Sequence, residues 1–140
     1  MQAQYVAVAT SSGGRNGHIR SSDGVLDLPL SLPKELGGAG KPGSTNPEQL
    51  FAAGYAACFE NALMRAARER KVPLNGSSVT AKVGIGRGED GFFALEVELD
   101  VTLSGLDKTV AETLAKAAHE EICPYSRAVR GNVEVTVKVA

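Results

Sequence analysis

The chain has 140 residues, of which 43% are hydrophobic and 22% charged, and its net charge is −1. This is one domain's worth of sequence with an ordinary globular composition, which argues against disorder. No block of basic residues is present, so a nucleic-acid-binding surface is not indicated. No apolar run approaches the length of a membrane span, and the N-terminus lacks a cationic start followed by an apolar core, so we expect a cytoplasmic protein with no membrane partner.

The first part of the chain predicts short strands joined by glycine-rich turns. Residues 3–10 suit a first strand, and the glycines within residues 11–17 suit a hairpin turn after it. Residues 18–20 and 25–30 are the next strand candidates, with a second turn between them.

A segment rich in glycine and proline, residues 33–44, follows these strands. It has the composition of a boundary between domains, but the pieces on either side are too short to fold alone. We therefore predict a loop within a single domain that covers residues 1–140.

The first helix has clear start and stop signals. Asn46 can cap it, Pro47 suits the first helical position, and Gln49 stands where the partner in a capping box belongs. Val72-Pro73 ends the helical pattern. Because residues 50–59 are apolar on every side, this half is predicted to be central and buried all round, while the later, charged half faces solvent.

Beyond this helix the hydrophobic period changes to two. Residues 79–85 and 93–103 alternate between apolar and polar side chains, as two half-buried strands of a hairpin do. Asp107 is predicted to cap a second helix that extends to Ile122, and residues 132–139 alternate again as a last strand. The order of elements predicts an α+β fold with mostly antiparallel pairing.

The two cysteines are the strongest chemical feature. Cys58 lies inside the apolar helix, and Cys123 directly precedes Pro124, where the helical pattern stops. In a cytosolic protein a static disulfide is uncommon, so the two thiols indicate catalysis, metal binding or simple packing. Taken alone, each is most simply a packing residue, because apolar burial raises the pKa of a thiol and makes it inert. Together, a buried thiol and a thiol at a helix end suggest an attacking and a resolving cysteine.

A reactive Cys58 needs a nearby cation, and Arg15 in the glycine-rich turn is a candidate because a guanidinium stays charged when partly buried. Glu48 is a candidate anion for that arginine. Both residues also have ordinary interpretations, a solvated loop arginine and a first-turn glutamate favoured by the helix dipole. Glu48 and Cys58 are ten residues apart, about 15 Å along a continuous helix. Either Arg15 bridges that gap, or the helix breaks, or Glu48 comes from the second chain of a homodimer.

Other motifs are weak. Cys58, Cys123, His18 and His119 show no ligand spacing for zinc, and we expect no bound metal. The glycine-rich segment 37–42 resembles a phosphate-binding loop only superficially, because Pro42 stands where that loop needs Ser or Thr. The nucleophile elbow of a serine hydrolase is also absent from the sequence.

Three segments carry a family resemblance. They are residues 46–59, Cys123-Pro124-Tyr125-Ser126 and Arg130-Gly131-Asn132. In these segments the chain strongly resembles the organic hydroperoxide resistance (Ohr) proteins of the OsmC/Ohr superfamily of bacterial thiol peroxidases. The resemblance extends over essentially the whole chain, and residues 51–55 together with Cys123-Pro124-Tyr125 favour the Ohr branch.

The resemblance implies a role for each candidate residue. Cys58 would be the peroxidatic cysteine and Cys123 the resolving cysteine, which close an intramolecular disulfide. Arg15 would hold the thiolate and polarise the peroxide, and Glu48 would fix Arg15. The implied fold is an intertwined α+β homodimer, with antiparallel sheets around a central buried helix and active sites at the subunit interface.

The resemblance also implies the substrates and the reductant. Organic and lipid hydroperoxides would be reduced to alcohols, and dihydrolipoamide or a lipoylated protein would regenerate the thiols, with no cofactor bound. Two alternatives stay open: an OsmC-type peroxidase with a broader peroxide range, and a non-catalytic dimer that binds an apolar ligand and uses both cysteines as packing residues.

Overall fold

The computed structural model describes residues 1–140. Its contacts divide it into two compact units, Met1–Leu50 and Phe51–Ala140, with the boundary inside the first long helix. The prediction of one domain over residues 1–140 stays a prediction. None of the helices combines the length and the apolar character that a membrane crossing requires.

The first unit contains a three-stranded antiparallel sheet in the order β1-β2-β3. Its strands are β1 (Ala9–Ser12), β2 (His18–Ser21) and β3 (Asp27–Pro29). The register places Ser12 opposite His18, and His18 opposite Pro29. The predicted second strand is confirmed, and the third is present but shorter than residues 25–30.

The prediction of a strand over residues 3–10 is wrong for most of its length. Only its last two residues pair with β2. A strand needs a neighbour that accepts its N–H groups and donates to its carbonyls, and an alternating sequence cannot supply one by itself. The side chains of Tyr5, Val6 and Val8 are exposed in the single chain.

The long helix α1 (Pro47–Glu69) begins as predicted and ends three residues before Val72. The Asn46 side chain caps it by accepting a hydrogen bond from the Gln49 N–H at 2.8 Å. The capping box is not formed. The Gln49 side-chain oxygen instead accepts a hydrogen bond from the Thr45 hydroxyl at 2.7 Å.

One face of α1 is buried from Tyr55 to Ala67. The buried residues recur every three or four positions: Tyr55, Phe59, Ala62, Leu63, Ala66 and Ala67. The prediction that residues 50–59 are buried all round is wrong for the single chain, since Ala53 and Ala57 are exposed. The later half does carry charged residues to solvent, but its alanines and Leu63 also supply much of the core.

The second unit contains the other sheet, in the order β4-β5-β6. β4 (Ser77–Arg87) and β5 (Phe93–Leu103) form the predicted antiparallel hairpin, and β6 (Glu134–Val139) lies parallel to β5. Three of the four strand pairings in the protein are therefore antiparallel, which confirms the predicted α+β class with mostly antiparallel pairing. One face of this sheet packs in a core with α1 and α2 (Lys108–Ala117), and this core includes Cys123.

The predicted second helix is shorter than expected. Asp107 caps α2 by accepting from the Val110 N–H at 3.0 Å, but the α-helix ends at Ala117. A π-helical turn, Ala118–Ile122, follows it, and the Cys123 N–H bonds the Ala118 carbonyl at 2.8 Å. Cys123 is extended, as a residue before proline prefers to be, and α3 (Pro124–Val129) begins directly after it.

Candidate active site

A glycine-rich turn presents Arg15. Gly13 and Gly14 have φ angles of +82° and +60°, a backbone conformation that side chains with a Cβ rarely adopt. A Cβ on Gly17 would lie 1.7 Å from the Ser12 carbonyl oxygen, so only glycine fits there. The glycines thus close a 3-10 turn, Gly14–Asn16, with Arg15 at its centre.

Arg15 and Glu48 form a bidentate ion pair within the first unit. The two terminal guanidinium nitrogens donate to the two carboxylate oxygens at 2.8 Å and 2.7 Å. The Glu48 side chain is only 12% exposed, whereas Arg15 is 39% exposed. The hydrogen bonds from Arg15 lower the pKa of Glu48 despite its burial, and those to Glu48 raise the pKa of Arg15. Both groups are therefore held in their charged forms.

The two cysteines lie next to each other in the second unit. Their sulfur atoms are 3.8 Å apart, with Cys123 as the donor and Cys58 as the acceptor, and both thiols are free. Cys123 is 1% exposed, and Cys58 is partly buried. A disulfide needs about 2.05 Å between sulfurs, so a small movement of the two side chains would suffice. Their separation along the sequence could not show this proximity.

The surroundings of Cys58 within its own unit oppose a thiolate. Burial raises the pKa of the Cys58 thiol, a hydrogen bond from the Tyr125 backbone N–H lowers it, and the neighbouring Cys123 raises it again. The result is a raised pKa, which agrees with the expectation that an apolar helix alone leaves this thiol inert. Reactivity then depends on a cation, the part that the resemblance assigns to Arg15.

Cys123 has a second contact, with the start of α3. Its sulfur accepts a hydrogen bond from the Ser126 N–H at 3.5 Å, in the position of a helix N-cap, and Pro124 follows at the first helical position. The thiol is therefore held between the Ser126 amide and the Cys58 sulfur.

A buried hydrogen-bonded chain beside the cysteines was not anticipated from the sequence. The Ser126 hydroxyl lies 2.8 Å from the Tyr55 hydroxyl and 2.8 Å from Nδ1 of His119. The weak sequence hint was the three-residue spacing between Cys123 and Ser126, which is that of a cap and its partner. His119, considered above as a zinc ligand, instead faces this serine, and no three His, Cys, Asp or Glu side chains gather as a metal site.

Aromatic side chains line the α1 face near Cys58. The Tyr125 ring lies 5.7 Å from that of Tyr55 and 6.2 Å from that of Phe51, between ring centroids. A Cβ on Gly54 would lie 2.9 Å from the Tyr125 hydroxyl oxygen, so the glycine makes room for this ring. Phe51 and Tyr125 thus form an apolar wall suited to a hydrocarbon chain, while the fully buried Tyr55 lies behind it.

The structure thus forms two pairs among the four predicted site residues, Arg15 with Glu48 and Cys58 with Cys123. Helix α1 runs without interruption from Pro47 to Glu69, which removes a helix break as a route from Glu48 to Cys58. The catalytic roles of the four residues stay predictions.

Comparison with known proteins gives consistent matches. Residues 38–138 match the model of the OsmC-like protein family. The "Organic hydroperoxide resistance protein" of Xanthomonas axonopodis pv. citri is 52% identical over 137 residues, which cover 97% of this chain and 94% of that protein. The protein of the same name from Bacillus subtilis, OhrB, is 46% identical over 98% of both chains. The crystal structure of an organic hydroperoxide resistance protein from Legionella pneumophila superposes with a TM-score of 0.92 at 48% identity, over 99% of both chains.

Proposed function

Because the chain belongs to the OsmC/Ohr family, we propose that it is a thiol peroxidase that reduces organic hydroperoxides to alcohols. The observation that carries this proposal is the contact between the two free thiols, 3.8 Å apart on segments 65 residues apart in the chain. The names of the relatives supply the substrate class, and the thiol pair supplies the chemistry.

In the first step the Cys58 thiolate attacks the outer oxygen of the hydroperoxide. The O–O bond breaks, the sulfur is oxidised to a sulfenic acid, and the alkoxide takes up a proton and leaves as the alcohol. The substrate is thereby reduced by two electrons that come from one sulfur atom.

In the second step the Cys123 thiol condenses with the sulfenic acid. The new S–S bond replaces the S–O bond, and the hydroxyl leaves as water with the proton of Cys123. The contact between the two sulfur atoms supports this step, since it places the second thiol against the first. An external dithiol then reopens the disulfide by exchange. We propose dihydrolipoamide or a lipoylated protein as that dithiol.

Arg15 and Glu48 would supply the charge that the thiolate needs. The burial that raises the pKa of Cys58 makes a cation necessary, and a guanidinium held by two hydrogen bonds to Glu48 keeps its charge and its orientation. In this role Arg15 also hydrogen-bonds the peroxide, while Glu48 positions Arg15 and does not touch the substrate.

An intertwined homodimer with active sites at the interface completes the proposal. It is supported by apolar surface that the single chain leaves exposed, on α1 at Ala53 and Ala57 and near the N-terminus at Tyr5, Val6 and Val8. A second chain would cover such surface, and Glu48 of either chain could then serve the site. The cytoplasm, where dithiol reductants maintain free thiols, is the compartment that suits this cycle.

The preference for organic over hydrogen peroxide follows from the aromatic wall beside Cys58. An alkyl chain that leaves water to lie against Phe51 and Tyr125 gains roughly 0.8 kcal/mol for each buried methylene, and hydrogen peroxide gains nothing there. Rates that fall steeply from bulky to small peroxides would support the Ohr-type assignment. Equal rates would favour an OsmC-type enzyme of broader range.

Thiol titration tests the function directly. One equivalent of an organic hydroperoxide should consume both thiols of the reduced protein and release one equivalent of alcohol. Cys58→Ser should abolish peroxide reduction, whereas Cys123→Ser should complete one turnover and then accumulate over-oxidised Cys58. Steady turnover of either variant with a dithiol, or two thiols left intact, would refute the mechanism and favour the apolar-ligand-binding alternative.

A further inference from the structure

Ser126 lies where the two cysteine-bearing segments meet. Its hydroxyl is completely buried and bonds Tyr55 on α1, three residues before Cys58. It also bonds His119 on the π-helical turn, four residues before Cys123. One small side chain therefore ties the helix that carries the first thiol to the turn that directly precedes the second.

The side chains of this hydrogen-bonded chain are held in their neutral forms. Burial raises the pKa of Tyr55, so the phenol keeps its proton and shares a hydrogen bond with the Ser126 hydroxyl. Burial also lowers the pKa of His119, so the neutral imidazole shares a hydrogen bond with Ser126 through Nδ1. No buried side-chain polar atom is left without a partner, and the Ser126 hydroxyl is hydrogen-bonded on both sides.

The segment that contains Ser126 also holds the backbone of the π-helical turn. Arg130, one turn after Ser126, donates from one guanidinium nitrogen to the carbonyls of His119 and Glu120 at 2.7 Å and 3.0 Å. The Ser126 N–H meanwhile bonds the Cys123 sulfur. Both ends of the segment that presents Cys123 are thus fixed through α3.

We propose that Ser126 is a positioning residue for the resolving step, holding the Cys123 sulfur against Cys58 through its hydrogen bonds to Tyr55 and His119. The proposal rests on the two-cysteine function proposed above. In that function the Cys58 sulfenic acid has two fates. It condenses with Cys123 to a disulfide and water, or it reacts with a second hydroperoxide to give a sulfinic acid and a second alcohol. Because the network acts on Cys123, its loss slows disulfide formation and leaves the initial attack by Cys58 unaltered.

Two variants remove the network with little change of shape, Ser126→Ala and Tyr55→Phe. Each reduced protein is mixed with excess organic hydroperoxide, and the first-turnover rate of Cys58 oxidation is measured. The disulfide and the sulfinic acid are then quantified by mass spectrometry. We expect an unchanged first-turnover rate and disulfide formation slowed roughly tenfold to a hundredfold, the range for a misplaced reacting group, with sulfinic acid raised accordingly. The double variant should lose no more than Ser126→Ala alone, because both changes break one network.

Val101→Ala is the matched control, since it removes buried side-chain volume on β5 outside the network. It should lower the thermal midpoint without changing the ratio of disulfide to sulfinic acid. A wild-type ratio in both Ser126→Ala and Tyr55→Phe would overturn the positioning role, as would an equal change in Val101→Ala. If the wild-type protein itself forms no disulfide, the two-cysteine function is refuted. The wild-type result therefore distinguishes failure of that function from failure of the positioning role of Ser126.

Discussion

Oxidation of the two cysteines should stabilise the protein against unfolding. The reduced chain has its sulfurs in contact at 3.8 Å, so a bond between them ties two segments that are already neighbours. In the unfolded chain the same bond closes a loop between residues 65 positions apart. The loss of unfolded-state entropy for a loop of that length corresponds to about 4 kcal/mol at 25 °C.

One cost opposes this gain. As the Cys123 sulfur moves toward Cys58, its hydrogen bond from the Ser126 N–H at 3.5 Å weakens, and α3 loses its N-cap. Loss of a good oxygen cap costs about 1 kcal/mol, which is an upper bound for a sulfur cap. The stabilisation from closing the loop exceeds the loss of the helix cap, so the oxidised form should be about 3 kcal/mol more stable than the reduced form.

Urea unfolding of the two forms at one protein concentration measures this difference. With a slope of about 1–3 kcal/mol per molar urea for a small protein, the midpoint should rise by roughly 1–3 M on oxidation. Cys123→Ser, treated with the same oxidant, should show no such rise. Equal midpoints for the two wild-type forms, or a lower midpoint for the form that has lost both thiols, would refute the reasoning.

Two further predictions concern residues outside the thiol pair. Leu63→Ala, at a fully buried position of α1, should lower the free energy of unfolding by about 3–5 kcal/mol in urea titrations, whereas exposed Arg68→Ala should change it by about 0.5 kcal/mol or less. A small loss at Leu63 would mean that the core closes over the gap. Arg15 lowers the pKa of Glu48 below its usual 4.5, so this ion pair stabilises the folded state above that pH and its contribution is lost as the pH falls through the lowered value. The stability advantage of the wild type over Glu48→Gln should therefore shrink below about pH 5, and a pH-independent difference would contradict the assignment.

The elements whose signals are local were predictable from the sequence. Asn46 and Pro47 mark the start of α1, and the β4–β5 hairpin follows from alternation on both sides of a glycine-rich turn. The predictions were wrong where the local structure depends on contacts with a segment distant in the sequence. Residues 3–8 have a strand-like sequence without a strand beside them. The end of the predicted second helix is a π-helical turn, whose carbonyls accept hydrogen bonds from Arg130, a partner that no local pattern shows.

The sequence singled out the four residues that the structure joins in two pairs, but not the geometry of either pair. The need of a buried thiol for a cation led to Arg15 and Glu48, and the structure joins these two by paired hydrogen bonds. Proximity of Cys58 and Cys123 depends on tertiary packing over 65 residues, which no local pattern encodes. Ser126 escaped notice because a serine in a short helix is unremarkable until its burial and its two partners are known.

The parallel pairing of β6 with β5 links the position of the second thiol to the completion of the sheet. Parallel neighbours need a connection that crosses from one end of the sheet to the other, and Cys123 lies on that connection. The crossing is anchored at its far end only when β6 is paired with β5. The position of the second thiol therefore depends on the pairing of a strand that carries neither cysteine.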